Sequence, residues 1–218
     1  MTTPKADYSL CLVTDRTLMS TLTLAEAVVQ AIAGGVTMVQ LREKEASSAE
    51  MYSLAVELKS ICAAANVPLI INDRADVALA VGAAGVHVGQ SDLSARVVRQ
   101  MIGDDCILGV SATTVQEAVQ AQNDGADYIG IGAMIPTGSK TDATIVSIDE
   151  LAAIRAAVSI PIMIIGGLNA DNLPPFIQAG ANGVAVISAI IAQKDIAGAA
   201  SALRKIRFGE GTHNEPKE

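Results

Sequence analysis

Residues 68–92 read PLIINDRADVALAVGAAGVHVGQSD, and this stretch decides the fold prediction. An apolar run at 69–71 ends in polar residues 72–74, and a second run at 86–88 ends in polar residues 89–92. A helical pattern lies between the two runs. Because adjacent parallel strands need a crossover connection, usually a helix, the stretch predicts one β-α-β unit of a parallel sheet.

The same alternation of short apolar runs and helical patterns fills the chain. The predicted strands are 9–13, 38–41, 69–71, 86–88, 107–110, 128–131, 161–165 and 184–187. The predicted helices are 24–33, 49–65, 75–81, 95–101, 115–123, 148–157, 172–179 and 189–206. Eight strands that are each followed by a helix predict an α/β fold, a single (β/α)8 TIM barrel. An open, doubly wound sheet is the alternative that the same alternation allows.

A repeated glycine pattern favours the closed barrel. The segments 34–39, 82–88, 125–130 and 180–186 each start at a helix-ending glycine and continue through a short turn into a buried strand. Glycine takes the left-handed conformation after a helix without a Cβ penalty. The four copies precede the second, fourth, sixth and eighth predicted strands, and this even spread is expected for a ring of strands.

The composition suits this architecture and excludes several classes of protein. Of the 218 residues, 50% are hydrophobic and only 2% are aromatic, which is typical of aliphatic parallel strands buried on both faces. A net charge of −8 argues against nucleic acid as a partner. We predict one catalytic domain over residues 1–208 and a disordered tail over 209–218.

The sequence also bears on where the protein works. Cys11, Cys62 and Cys106 form neither a metal-type pair nor an even disulfide set. No signal pattern opens the chain, and no apolar run is long enough to cross a bilayer. We therefore predict a cytoplasmic protein with no membrane partner, and a homo-oligomer remains open.

Polar residues follow most of the predicted strands, and in a barrel of this kind the carboxyl ends of the strands form the catalytic face. Asp73 and Asp92 follow neighbouring strands, so their carboxylates are expected on one rim, where they can hold Mg²⁺. The alternative for each aspartate is a helix cap or an ion pair. A nearby phosphate site favours the metal.

Basic and small residues at the same rim predict two anion sites. Gln40, Arg42 and Lys44 alternate along the second strand, so a period of two puts all three on one side, where they suit a phosphate. The segment 136–140, PTGSK, combines hydroxyls, a glycine and a lysine that together can enclose an anion. A further site is expected after the seventh and eighth strands, at Gly166, Gly167 and Ser188. We interpret His87, which lies within a strand, as a core or rim histidine rather than a general base.

Several of these motifs together resemble one known family. In chain order they are 40–44 (QLREK), 71–74 (INDR), 85–92 (GVHVGQSD), 109–111 (GVS), 136–140 (PTGSK) and 165–167 (IGG). The set resembles the thiamine phosphate synthase family, and the resemblance covers residues 8–191. It implies a transferase that joins hydroxymethylpyrimidine diphosphate to a thiazole phosphate, carboxylated or plain, to form thiamine phosphate and pyrophosphate.

The resemblance also implies roles for individual residues. The implied ligands are Gln40, Lys44, Asn72, Ser111 and Lys140 for the pyrimidine diphosphate, Thr137, Ser139, Gly167, Ile187 and Ser188 for the thiazole phosphate, and Asp73 and Asp92 for Mg²⁺. We add Arg42 and Gly138 to the substrate-binding set and expect Lys140, Arg42 and Ser111 to be the catalytic residues. An aminopyrimidine tolerates positive charge at its methylene, so departure of pyrophosphate can precede attack by the thiazole nitrogen. Such a reaction needs charge stabilisation and placement more than a base.

The chain departs from the family pattern at two places, and three other functions stay open. Thr113 occupies a position that is usually His, and residues 132–135 read GAMI where the family usually has Gly-Pro and an aromatic residue. These changes are expected to affect rate more than reaction type. The alternatives are a thiazole tautomerase-like enzyme, a non-catalytic ligand-binding barrel, and a sugar-phosphate isomerase or epimerase.

Overall fold

Eight parallel strands close into one barrel in the computed structural model, which describes residues 6–136 and 144–206. Each strand pairs with the next along the chain, and the eighth pairs with the first. The strands are β1 (Leu10–Val13), β2 (Met38–Leu41), β3 (Leu69–Asn72), β4 (Gly85–Val88), β5 (Ile107–Ala112), β6 (Tyr128–Ile131), β7 (Ile162–Ile165) and β8 (Gly183–Val186). The predicted (β/α)8 barrel is confirmed, and the open-sheet alternative is wrong.

Helices follow the strands and cover the outside of the barrel. Within the described residues they are α1 (Leu24–Ala33), α2 (Ser48–Ala64), α3 (Ala75–Val81), α4 (Ala95–Ile102), α5 (Val115–Asn123), α6 (Ile148–Ala157), α7 (Pro174–Gln178), α8 (Ser188–Ile191) and α9 (Ile196–Arg204). The single helix predicted over 189–206 is wrong, since α8 and α9 are separate. The carboxylate of Asp195 accepts a hydrogen bond from the Gly198 amide at 2.8 Å and starts a new helix at that point.

The repeated glycines adopt the backbone conformation that their position requires. Gly35, Gly82, Gly125 and Gly180 have φ angles of 103°, 63°, 93° and 105°, and each lies between a helix and the next strand. In the first repeat, Gly34 ends the helix with a right-handed φ of −79°, and Gly35 makes the left-handed turn. The predicted turn is therefore confirmed in all four copies, with a shift of one residue in the first.

The barrel has two apolar cores. The larger lies between the strands and the surrounding helices, and the smaller fills the inside of the barrel with residues such as Met38, Ile70 and Tyr128. Because successive side chains of a strand point to opposite faces, Gln40 and Asn72 point inward above Met38 and Ile70. These inward polar residues lie at the carboxyl ends of β2 and β3.

The three cysteines, all within the described residues, form no disulfide bond. Cys11 and Cys62 are buried, Cys106 is half-buried, and all three are free thiols. In the described part of the chain, no helix has the length and apolar character needed to cross a membrane. The predicted tail at 209–218 lies outside the described residues.

Candidate active site

The carboxyl ends of the strands bring several predicted residues to one rim of the barrel. Gln40 is buried, with 7% of its surface exposed, whereas Asn72 and Ser111 are partly exposed. Ser111 lies two positions beyond Gly109 on β5 and points into the barrel, where its hydroxyl meets His87. The three side chains therefore form a polar layer above the apolar interior.

Asp73 and Asp92 come together at this rim. Asp73 follows β3 with a left-handed φ of 64°, and its amide donates to the carbonyl of His87 on the neighbouring strand at 2.8 Å. The carboxylate of Asp92 accepts a hydrogen bond from the Gly89 amide at 2.7 Å. Burial and then the nearby Asp92 carboxylate raise the pKa of Asp73 to about 6. The sequence predicts both carboxylates on one rim, and the structure brings them close enough to interact.

Two cations lie near the aspartate pair. Lys44 and Arg42 both act to lower the pKa of Asp73, against the effects of burial and Asp92. The Arg42 amide donates to the hydroxyl of Thr14 at 3.0 Å, and its guanidinium lies 3.8 Å from the Asp15 carboxylate. Because β2 ends at Leu41, the period-two argument holds only for Gln40. The two cations lie in the loop that follows β2 and still reach the same rim.

Asp73 and Asp92 are the carboxylates that this part of the rim offers to a metal ion. Within residues 6–136 and 144–206, no three histidine, cysteine or acidic side chains converge in the manner of a dedicated metal site. Mg²⁺ commonly uses only one or two protein carboxylates together with water and substrate phosphate. The charge repulsion between Asp73 and Asp92 is of the kind that a divalent cation relieves. This donor set therefore fits magnesium.

His87 has a larger role in the barrel interior than its sequence context indicated. It is buried, its Nδ1 lies 2.9 Å from the Tyr128 hydroxyl, and its Nε2 lies 2.9 Å from the Ser111 hydroxyl. Burial lowers the pKa of His87 to about 4. The interpretation of His87 as a satisfied core histidine is confirmed, and its contacts with Ser111 and Tyr128 are not among the features predicted from the sequence.

One signal in the sequence marks this buried contact. The Tyr128 and His87 rings occupy the space beside Gly109, and a Cβ at Gly130 would lie 2.9 Å from Cε1 of His87. Glycines at these two positions, on strands next to each other, leave room for aromatic rings inside the barrel. Glycine in a strand interior often marks such a close approach.

The opposite part of the rim is formed by glycines after β7 and by the start of α8. Gly166 and Gly167 have positive φ angles of 101° and 66°, and the carbonyl of Gly167 accepts a hydrogen bond from the Asn172 side chain at 3.0 Å. Ile187 precedes α8, and Ser188 is its first residue and is exposed. The backbone in this region is open to solvent, as expected for a place where an anion approaches.

Four predicted site residues cannot be placed. Thr137, Gly138, Ser139 and Lys140 lie outside the described residues, which resume at Thr144. Their assignment to the substrates stays a prediction.

The two departures from the family pattern differ in their surroundings. The amide and hydroxyl of Thr113 both donate to the carboxylate of Glu117, at 2.7 and 3.0 Å, so Thr113 is tied to the first turn of α5. Ala133 and Met134 are buried, and the Met134 amide donates to the carbonyl of Ile165 at 3.0 Å. The altered segment therefore packs against the end of β7.

Comparison with known proteins assigns this chain to a family. The family model described as thiamine monophosphate synthase matches residues 10–190, which is most of the chain. The chain belongs to the thiamine monophosphate synthase family. The resemblance inferred from the sequence motifs is thereby confirmed.

Individual members of the thiamine monophosphate synthase family agree with this assignment. Thiamine-phosphate synthase of Ruminiclostridium cellulolyticum is 60% identical over 93% of this chain and 96% of its own length. The enzyme of the same name from Clostridium beijerinckii is 58% identical over 92% of this chain and 96% of its own length. The solved structure of thiamine phosphate pyrophosphorylase from Pyrococcus furiosus is 36% identical and has a TM-score of 0.84, with 92% of this chain and 95% of that chain covered.

Proposed function

We propose that this protein is a thiamine-phosphate synthase, a transferase that joins hydroxymethylpyrimidine diphosphate to a thiazole phosphate and releases pyrophosphate. Its family supports this reaction, and so does one observation in the structure. The carboxylates of Asp73 and Asp92 lie together at the rim, beside Arg42 and Lys44. A diphosphate bound through a divalent cation needs such a mixture of acidic and basic groups.

The proposed metal ligands are Asp73 and Asp92. Bound there, Mg²⁺ supplies charge neutralisation for the diphosphate leaving group. The pair suits this task because its two carboxylates repel each other; burial and then this repulsion raise the pKa of Asp73 to about 6. Arg42 and Lys44 lie near the aspartate pair, where their positive charges would stabilise the bound diphosphate.

The proposed pyrimidine site occupies the centre of the barrel mouth. Gln40, Asn72 and Ser111 are polar and lie at the carboxyl ends of their strands, so they can orient the ring and the diphosphate. Arg42, Ser111 and Lys140 are the proposed catalytic residues, since a guanidinium, a hydroxyl and an ammonium group stabilise negative charge that develops on the departing pyrophosphate. Lys44 is the remaining proposed ligand of the pyrimidine diphosphate.

The proposed thiazole phosphate site lies across the mouth. Gly167, Ile187 and Ser188 would bind the phosphate through the backbone and one hydroxyl, together with Thr137, Gly138 and Ser139. The positive φ of Gly167 supports this role, because glycine lets the backbone come close to an anion there. Two phosphate sites at opposite parts of one rim place the two substrates face to face.

The order of bond changes follows from the chemistry of the substrates. The bond between the pyrimidine methylene and the diphosphate oxygen breaks with its electron pair on oxygen, and the thiazole nitrogen then donates its pair to the methylene. A carboxylated thiazole loses CO₂ after this step. Placing the partners in a near-attack geometry contributes a large share of the rate, on the order of 7–11 kcal/mol in favourable intramolecular cases.

No general base is required by this sequence of steps. A plain thiazole becomes a positively charged thiazolium without losing a proton. The buried His87, which both hydroxyl partners hold below the site, is consistent with a reaction that does not use histidine as a base.

We further propose that the protein acts in the cytoplasm on these small molecules.

The deciding experiment measures pyrophosphate released by purified protein with Mg²⁺ and both substrates. We expect turnover in the wild type and a loss of about 100-fold or more, typical of a lost charge-stabilising group, in Asp73→Ala and Lys140→Ala. Asp105→Ala is the matched control, because Asp105 is exposed in the loop before β5, at the other end of the barrel. Binding of both substrates without any pyrophosphate release by the wild type would identify a non-catalytic barrel. Unchanged turnover in both rim variants would refute the site assignment.

A further inference from the structure

A chain of buried polar groups runs beneath the proposed pyrimidine site. Tyr128 is 1% exposed and His87 is 8% exposed, and they are joined at His87 Nδ1 by a contact of 2.9 Å. The other ring nitrogen of His87 meets the Ser111 hydroxyl at 2.9 Å. One proposed substrate ligand, Ser111, is therefore connected through His87 to the buried Tyr128.

The His87 ring is held in one position. A Cβ at Gly130 would meet its Cε1 at 2.9 Å and its Nε2 at 3.3 Å, and Gly109 faces the same ring from the neighbouring strand. The ring of Tyr128 is tilted against it, with centroids 5.4 Å apart. A ring enclosed on these sides cannot turn over without displacing the strands around it.

The charge state of the ring limits how the two hydroxyl groups can bond to it. Burial lowers the pKa of His87 to about 4, with Asp92 acting weakly in the other direction, so the imidazole is neutral near pH 7. A neutral imidazole has one N–H donor and one acceptor nitrogen. The two hydroxyl groups therefore cannot both donate to the ring, and one of them must accept.

The burial of Tyr128 indicates which hydroxyl donates. Burial holds the pKa of Tyr128 well above its usual range, so the phenol keeps its proton, and within the described residues the hydrogen-bond partner found for its hydroxyl is Nδ1 of His87. Because a buried polar proton needs an acceptor, the Tyr128 O–H is expected to donate to Nδ1. In that arrangement the ring proton lies on Nε2 and is donated to the Ser111 oxygen, so the Ser111 O–H is free to point to the mouth.

We propose that His87 is a positioning residue that, together with Tyr128, fixes the Ser111 hydroxyl as a hydrogen-bond donor to an acceptor atom of the pyrimidine diphosphate. This inference deepens the proposed function and rests on it for the identity of the substrate. His87 itself does not touch the substrate. It sets which way the Ser111 proton points, and so the hydroxyl binds without first reorienting.

Two substitutions at position 87 separate this role from simple packing. His87→Gln keeps an amide nitrogen near the place of Nε2 and can still donate to Ser111. His87→Asn ends near the place of Nδ1, keeps the Tyr128 contact and no longer reaches Ser111. Met163→Leu, inside the same barrel core, is the matched control for a change of interior volume.

Steady-state kinetics then test the coupling. We expect His87→Asn to lower kcat/KM for the pyrimidine diphosphate about 10- to 100-fold, the cost of a lost hydrogen bond to a charged substrate. His87→Gln is expected to remain within about fivefold of the wild type, and Met163→Leu within about twofold. The double variant His87→Asn/Ser111→Ala is expected to be no slower than Ser111→Ala alone, because His87 acts only through Ser111.

Nitrogen-15 NMR of the imidazole gives a readout that does not depend on activity. The chain has two histidines, and His213→Ala assigns the signal of His87. We expect a neutral ring between pH 6 and pH 8 with its proton on Nε2. A proton on Nδ1, or additive effects of the two substitutions in a folded double variant, overturns the proposal. Absence of pyrophosphate release by the wild type instead refutes the proposed function, and the tautomer still decides the direction of the chain.

Discussion

The carboxylate of Asp92 lies beside that of Asp73 and, after burial, is the main reason that the pKa of Asp73 is raised to about 6. The two aspartates follow adjacent strands, β3 and β4, and the Asp73 amide is anchored to the carbonyl of His87 on β4. The fold therefore holds two like charges together. That arrangement costs stability in the free protein and favours a divalent cation.

The first prediction concerns the stability of the metal-free protein. A carboxyl group whose pKa is raised on folding binds its proton more tightly in the folded state, so the folded state loses stability as pH rises through 4 to 6. At pH 8 without Mg²⁺, we expect Asp73→Asn to raise the free energy of unfolding by about 1 kcal/mol or less, a value that allows for solvent screening of an exposed group. Denaturant unfolding at pH 8 and pH 4 measures the difference, which should vanish at pH 4.

The control for this prediction is the same substitution at Asp105, which is exposed in the loop before β5, at the other end of the barrel. Asp105→Asn should leave the free energy of unfolding unchanged at both pH values. A destabilised Asp73→Asn at pH 8 would show that the aspartate pair is not under charge repulsion.

The second prediction concerns the pH dependence of magnesium binding. Because protonated Asp73 is a poor ligand, the proton competes with the metal below the pKa of about 6. We expect the apparent Mg²⁺ affinity to fall up to about tenfold between pH 6 and pH 5 and to level off above pH 7. Titration of pyrophosphate release with Mg²⁺ at each pH, with saturating substrates, gives the affinity. A constant affinity from pH 5 to pH 8 would contradict a metal site at Asp73.

The third prediction concerns Arg99, which holds together the opposite end of the barrel. Its guanidinium donates to the carbonyls of Gly125 and Cys106 at 2.8 and 2.7 Å and to the Asp127 carboxylate at 2.6 Å. We expect Arg99→Ala to lower the free energy of unfolding by about 2–4 kcal/mol, since it leaves two carbonyls without the guanidinium donor and a partly buried carboxylate with only the Leu108 amide as donor. Chemical denaturation measures this loss.

Arg96→Ala is the matched control for Arg99→Ala. Arg96 also pairs with an aspartate, but 69% of its side chain is exposed, compared with 14% for Arg99. Its loss is expected to cost about 0–1 kcal/mol. Both variants should keep the wild-type kcat under conditions where they are folded, because neither residue lies at the catalytic rim. Equal destabilisation by the two substitutions would be inconsistent with the buried contacts of Arg99.

The fourth prediction concerns Gly130, which faces His87 from β6. A methyl group at this position would lie 2.9 Å from Cε1 of His87, so the ring must move. We expect Gly130→Ala to cost about 1–3 kcal/mol of stability through overpacking and to lower kcat/KM by displacing the ring from Ser111. Denaturation and steady-state kinetics check the two effects. A wild-type free energy of unfolding together with a wild-type kcat/KM would contradict a close contact between position 130 and the His87 ring.

Much of the fold could be predicted because its signals are local. Alternating apolar runs and helical patterns gave the eight strands, and glycines such as Gly82 gave the turns before alternate strands. The carboxyl ends of parallel strands share one edge, so Asp73 and Asp92 could be placed together without coordinates. The helix predicted over 189–206 failed because Ala and Ile continue the helical pattern, whereas Asp195 starts a new helix by capping it.

The candidate site was predicted less completely than the fold. The alternation expected for Gln40, Arg42 and Lys44 did not allow for the end of β2 at Leu41. Gly109 and Gly130 indicate room for rings inside the barrel, but they do not say which rings meet, and 41 residues separate His87 from Tyr128 along the chain. Their contact depends on strand register, which no local pattern records.

The sequence by itself determined the eight alternating strands and helices, the rim that carries the polar residues and the aspartate pair, and it favoured closure of the barrel, because these features follow from local pattern. Only the tertiary structure decided the buried chain from Tyr128 through His87 to Ser111. Closure of the sheet brings β4, β5 and β6 around one interior. There, the absence of side chains at Gly109 and Gly130 leaves room for two rings that share a hydrogen bond.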